Sequence, residues 1–210
     1  MTARYYPLGV ETRRVDVAPP LEVRIEPAGP ERWDDVATIL GLSTPLGCFC
    51  LYYRQSSGDY NRTPGPQRTA LMRELVASQP PPGLLAYAGS EVIGWCGFGP
   101  RTSMERLVRS RTIPRVDDLP VWSIVCFVVR VGYRRRGVAR ALLAGVIDYA
   151  RQAGAAGLEA YPIEPDGRRV NTTDAYVGTL GMFERAGFRK VLLTDATSAR
   201  LPRWLVRLDF

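Results

Sequence analysis

The chain has 210 residues, four cysteines, no histidine and a formal net charge of +7. With 46% hydrophobic and 23% charged residues it has the balance of one folded domain with ample core, which excludes a disordered chain. The missing histidine excludes Ser-His-Asp and Cys-His nucleophile systems, imidazole metal ligands and an imidazole pH switch, leaving proton transfer to carboxylates, tyrosine, cysteine, water or the chain terminus.

Residues 1–20, mixed in charge and ending in Ala-Pro-Pro, are expected to form an arm, and residues 21–210 a single domain. The first residues lack the apolar core that export needs, and the longest apolar run, 121–129, is too short to span a bilayer. A cytoplasmic protein without a membrane partner is therefore expected. Residues 21–26 alternate Leu, Val, Ile with Glu, Arg, Glu, the pattern of a half-buried strand. Pro30 opens a helix that Gly41 stops, with Trp33, Val36, Ala37 and Leu40 at helical spacing. The aromatic stretch 48–53 fits helix or strand equally, 59–66 reads as turn, and 66–78 as a second helix. Strands at 84–88 and 92–98 flank a Gly-Ser-Glu turn, with Gly83, Gly94, Gly97 and Gly99 marking close backbone approach.

A short helix near 103–109 interrupts the basic segment 100–120. The apolar run 121–130 is the strand expected in the middle of the sheet. A helix over 137–153, a strand at 158–162 and a helix over 174–186 ended by Gly187 follow, and strands at 188–193 and 203–209 close the chain. This order implies an α/β (α+β) fold, a mixed sheet with helices on its faces.

Only Lys190 is lysine; the other 27 basic residues are arginine, which reads as compositional bias. Where the charge sits says more. Residues 101–151 hold 11 arginines against four acids, while the rest of the chain carries 17 bases and 17 acids. The excess is local and points to one polyanionic ligand. It centres on the turn from the apolar strand into the next helix, Val128-Val129-Arg130-Val131-Gly132-Tyr133-Arg134-Arg135-Arg136-Gly137-Val138-Ala139-Arg140. A helix N-terminus offers unsatisfied N–H groups and the positive end of the macrodipole. Gly137 and Ala139 leave room for a phosphate to reach them, and the arginines add charge-assisted bonds.

Arg134-x-x-Gly137-x-Ala139 after an apolar strand resembles the pyrophosphate loop of the GNAT acetyltransferase superfamily, whose pattern is Arg/Gln-x-x-Gly-x-Gly/Ala. Met182-Phe183-Glu184-Arg185-Ala186-Gly187-Phe188 is similar to the family's closing segment, and the order of elements from residue 21 onward matches. P-loop and Rossmann readings fail, because neither GxxxxGK[ST] nor a GxGxxG after a strand is present. The resemblance implies a mostly antiparallel central sheet of six to seven strands, with acetyl-CoA or another acyl-CoA as co-substrate and an amine acceptor; no metal is expected. It implies that the backbone of Phe127, Val128 and Val129 holds the pantetheine arm. It also implies that the N–H groups of Arg135, Arg136, Gly137, Val138 and Ala139 hold the pyrophosphate, with Arg134 as flanking cation. A strand N–H would polarise the thioester carbonyl.

Two positions depart from the family. Phe183 stands where many members have a proton-donating tyrosine, which leaves Tyr176 or water as the acid. Ser123 stands where some carry a glutamate base, which leaves Glu159, on the neighbouring strand, as the favoured carboxylate. The acceptor side is expected among Cys48, Phe49, Tyr52, Trp95 and Trp122, whose aromatic character favours a small-molecule amine. Cys48, Cys50, Cys96 and Cys126 read as reduced thiols; the Cys48–Cys50 spacing is too tight for a zinc knuckle. A CoA-binding module without turnover is the second reading, motivated by Phe183 and Ser123. Nucleic-acid binding is disfavoured, because a compact arginine cluster at a helix start suits one phosphate group better than a backbone track. A homodimer is compatible with the arm.

Overall fold

The computed structural model describes residues 21–41, 47–171 and 173–210, so the expected arm over 1–20 lies outside the described residues. Seven strands form one sheet in the order β1 (Arg24–Pro27), β2 (Gly83–Ala88), β3 (Glu91–Pro100), β4 (Trp122–Val129), β5 (Gly157–Ala160), β7 (Leu201–Asp209), β6 (Arg189–Ser198). Every pairing is antiparallel except β4 with β5. The helices are α1 (Trp33–Leu40), α2 (Ser57–Arg62), α3 (Gly65–Val76), α4 (Glu105–Val108), α5 (Val138–Gln152) and α6 (Leu180–Glu184).

The unbroken apolar run makes β4 a central strand, and its first four residues are buried on both faces. α5 lays Val138, Leu142, Leu143, Val146 and Ala150 on the sheet, an apolar stripe at helical spacing. Glycines let it sit close. A Cβ on Gly94 of β3 would stand 2.9 Å from Val138 Cγ1, and one on Gly145 of α5 would stand 2.7 Å from Ile25 Cγ2. α1 ends at Gly41 in the left-handed conformation (φ 63°), whose N–H bonds back to the Ala37 and Thr38 carbonyls.

Three elements differ from the sequence pattern, each for a local reason. The turn expected over 59–66 is helical in its first part, where 57–62 form α2, because Ser56 caps it by accepting from the Asp59 N–H at 3.1 Å and Asp59 pairs with Arg62. The helix expected over 174–186 shrinks to α6, because Gly178 (φ 94°) breaks it and the preceding residues form a turn. β6 runs to Ser198 instead of stopping at 193. It joins β7 through Ala199 and Arg200, both at positive φ, a hairpin turn that uses neither Asn nor Gly.

At Gly97, opposite Cys126 on β4, a Cβ would collide with Cys50 Sγ. Gly97→Ala is therefore expected to lower stability by about 1–3 kcal/mol. A lower urea midpoint at constant slope checks it; an unchanged midpoint would contradict this packing.

Candidate active site

β4 and β5 pair only from Trp122 to Ile124, and β5 ends at Ala160. Beyond that point the two strands part, and the β5-facing edge of β4 opens. Val128 pairs with Trp95 of β3. By the two-residue period of a strand, Phe127 and Val129 turn their N–H groups to the opened edge. The Phe127 N–H donates there to the Tyr176 carbonyl at 2.6 Å, so the turn before α6 reaches into the gap.

After β4 the chain makes a short 3-10 turn, Val131–Tyr133, and swings through two positive-φ residues, Arg135 (60°) and Gly137 (86°), into α5. The first bond of that helix runs from the Ala141 N–H to the Gly137 carbonyl at 3.0 Å. The backbone N–H groups of Arg135, Arg136, Gly137, Val138 and Ala139 find no partner among the described residues. Arg134 Nε donates to the Val129 carbonyl at 3.1 Å, tying the turn back to the strand. Arg134, Arg135, Arg136, Arg140 and Arg185 form no ion pair among the described residues. A cavity of about 610 Å³ lies here, lined by Arg135, Arg136, Gly137 and Arg140 on one side and Met182 and Arg185 on the other. Cations crowding a helix N-terminus are unfavourable unless an anion joins them.

Glu159 is 1% exposed. Its Oε1 accepts from Arg101 Nη1 at 2.8 Å, from Ser123 Oγ at 3.0 Å and from the Tyr161 hydroxyl. Arg101 Nη1 also donates to Tyr161 Oη at 2.7 Å, and its Nη2 holds the Leu107 and Ile113 carbonyls. The parallel register that sets Ser123 opposite Glu159 brings this carboxylate to the face occupied by Ser123. Arg101 and Tyr161 were not legible as its partners, since nothing in their local sequence marks them. Burial, and then the Glu159 charge, push the Tyr161 hydroxyl well above the ordinary tyrosine range.

A second cavity, of about 670 Å³, is lined by Tyr52, Tyr53, Tyr176, Arg106, Arg203 and Asp195, among other residues. The Tyr53 and Tyr176 hydroxyls lie 3.1 Å apart, and the Arg203 guanidinium stands 4.8 Å from the Tyr176 ring centre. Burial raises both tyrosines, so both are neutral near pH 7. Of the other acceptor candidates, Phe49 and Trp95 are buried in the core, Trp122 packs against Phe98 and Tyr149, and Cys48 is exposed. The second cavity is more polar than the aromatic stretch 48–53 suggested. Cys50 lies below Trp95, whose Nε1 donates to its Sγ at 3.4 Å. Hydrogen bonding with Cys126 lowers the Cys50 thiol to about 7 against its burial, with help from Arg54 and Trp95. Phe183 is buried between Phe127 and Phe188, at ring distances of 6.3 and 5.1 Å.

Comparison with protein-family models matches residues 49–188 to the Acetyltransferase (GNAT) family. The chain belongs to the GNAT acetyltransferase family. It is thus a transferase of the acetyl-CoA-dependent acyl-transfer type. Solved structures agree on the fold. An N-acetyltransferase from Staphylococcus aureus Mu50 is 16% identical, aligning 90% of this chain with 98% of its own at a TM-score of 0.52. A GCN5-related N-acetyltransferase from Kribbella flavida is 17% identical, with coverage of 90% and 98% and a TM-score of 0.54. The yncA protein of Salmonella typhimurium, solved with its cofactor acetyl-CoA, is 17% identical, with coverage of 89% and 93% and a TM-score of 0.52. A sequence comparison with curated proteins returns no match. The GNAT chain has no helix, among the described residues, that is long and apolar enough to cross a membrane.

Proposed function

We propose that the protein moves an acetyl group from acetyl-CoA to the amine of a small molecule, by direct attack with both bound. The observation that carries this is the run of five unpartnered N–H groups at the left-handed Gly137 corner, opening on an arginine-lined cavity beside the parted β4 edge. Those N–H groups, with the α5 dipole, would hold the pyrophosphate. The Val129 backbone would take the pantetheine amide, and Arg134 would flank the phosphates. Bound acetyl-CoA supplies an acyl group already activated as a thioester.

The Phe127 N–H, now donated to Tyr176, would exchange that carbonyl for the thioester oxygen and stabilise the charge that develops on it. The Tyr53–Tyr176 cavity would hold the amine against the thioester, and orientation alone supplies much of the rate. Tyr176, protonated because burial raises it, would donate to the leaving thiolate. Glu159, fastened to Arg101, would act as a positioning residue on Tyr161 and Ser123, with water taking the amine proton.

Tyr176→Phe is expected to lower kcat about 100-fold, the low end of general-acid contributions, with little change in acetyl-CoA affinity. Because burial raises its pKa above the ordinary tyrosine range, the wild-type rate should keep the contribution of this group through neutral and mildly alkaline pH. A fall assigned to Tyr176 near pH 8, or full activity in the variant, would refute the role. A second reading, CoA binding without turnover, is favoured by Phe183 and by the Tyr176 carbonyl seated on Phe127. Acceptor-dependent thiol release from acetyl-CoA, with mass-spectrometric detection of the acetylated amine, decides between the two.

A further inference from the structure

Arg203 on β7 is 3% exposed, and no acidic side chain pairs with it among the described residues. Among the described residues its side chain makes one hydrogen bond, from Nη1 to the Tyr161 carbonyl at 2.7 Å, which leaves most of its five donors without a protein partner. Buried guanidinium groups need an anion or a full set of carbonyls. The other two buried arginines each hold an anion: Arg101 has Glu159 and two carbonyls, and Arg207 has Asp117, with its Nε left without a hydrogen-bond partner among the described residues. Arg203 faces the second cavity instead.

The remaining cations of that cavity are already engaged. Arg106 donates to the Tyr52 carbonyl and Ser57 Oγ at 2.6 Å each and lies over the Tyr52 ring, while Arg109 pairs with Glu105 at 2.8 Å. One uncommitted positive charge is left. It sits against the ring of Tyr176, the residue whose carbonyl marks the acyl end of the β4 gap.

We propose that Arg203 binds a carboxylate of the acceptor, so that the acceptor is an amino acid or another small amine carrying a carboxylate. This rests on the acetyl-transfer reading above. A planar guanidinium offers a carboxylate two parallel donors, and its single charge matches a monoanion better than a phosphate dianion. Tyr176, whose ring centre lies 4.8 Å from this guanidinium, also reaches the Phe127 N–H through its carbonyl, which links the charge to the strand edge.

The test is a thiol-release assay with acetyl-CoA against the common amino acids, β-alanine and 4-aminobutyrate. Each is run beside its carboxamide and its decarboxylated amine, with aminoalkylphosphonates alongside. Carboxylates are expected to be the active acceptors. Their amides should fall by at least about tenfold in kcat/KM, mainly through KM. Arg203→Gln should bring the acid-to-amide ratio to about one, whereas Arg203→Lys should keep part of it. A merely structural role for Arg203 would lower acid and amide alike and leave the ratio standing. Amides or plain amines equal to the acids, phosphonates preferred over them, or no acid accepted by a protein that binds acetyl-CoA would each overturn the proposal. Failure to bind acetyl-CoA in calorimetry would instead overturn the reading beneath it.

Discussion

Gly137→Glu is expected to abolish CoA binding in calorimetry, with an affinity loss of about a thousandfold or more. Two effects add. The left-handed φ of 86° costs a side-chain-bearing residue about 1–2 kcal/mol, although the site has room, since a Cβ would meet only Arg140 Nη2 at 3.6 Å. The larger effect is charge. A carboxylate at this corner would stand where the pyrophosphate is proposed to sit, and like charges about 4 Å apart near a protein surface repel by about 4 kcal/mol. Gly137→Ala separates the two effects, because it keeps the strain and omits the charge. Its affinity should fall by no more than about tenfold, the equivalent of 1.4 kcal/mol. Equal losses in both variants would mean that the backbone alone matters there.

The largest loss of stability is expected at the Arg101–Glu159 pair. Both side chains are nearly inaccessible, at 8% and 1% exposure. Removing one partner leaves an uncompensated buried charge, which costs about 3–5 kcal/mol. For a chain of this length that corresponds to a fall in Tm of roughly 6–20 °C. Arg101→Met has a second consequence, because Nη2 also fastens the Leu107 and Ile113 carbonyls beside the second cavity. Arg101→Met combined with Glu159→Met should be less destabilised than the sum of the two single changes, since neither charge is then orphaned. Additive losses would show that the pair is not coupled.

The elements that carry the proposed cofactor corner were legible because each rests on a local signal. The apolar run 121–130 reads as a central strand, the stripe on 138–150 reads as a helix, and Gly137 with its arginines marks the turn between them. The proposed acceptor side was not legible, because it is assembled by pairing at long range. Glu159 meets Arg101 58 residues away, and Tyr53 meets Tyr176 123 residues away. Only the sheet order, which places β7 beside β5, brings Arg203 to Tyr161 and Tyr176. Nothing in the local sequence of Arg203 sets it apart from 26 other arginines. Gly178 was a readable break in the final helix, and reading it would have placed Tyr176 in the turn that enters the sheet gap.

A crystal structure of the protein with acetyl-CoA tests the central claim most directly. Diphosphate oxygens within hydrogen-bonding distance of the N–H groups of residues 135–139, with the thioester oxygen in place of Tyr176 on the Phe127 N–H, are the expected result. Acetyl-CoA seated away from the start of α5, or a Phe127 N–H still held by Tyr176 with the cofactor bound, would contradict it.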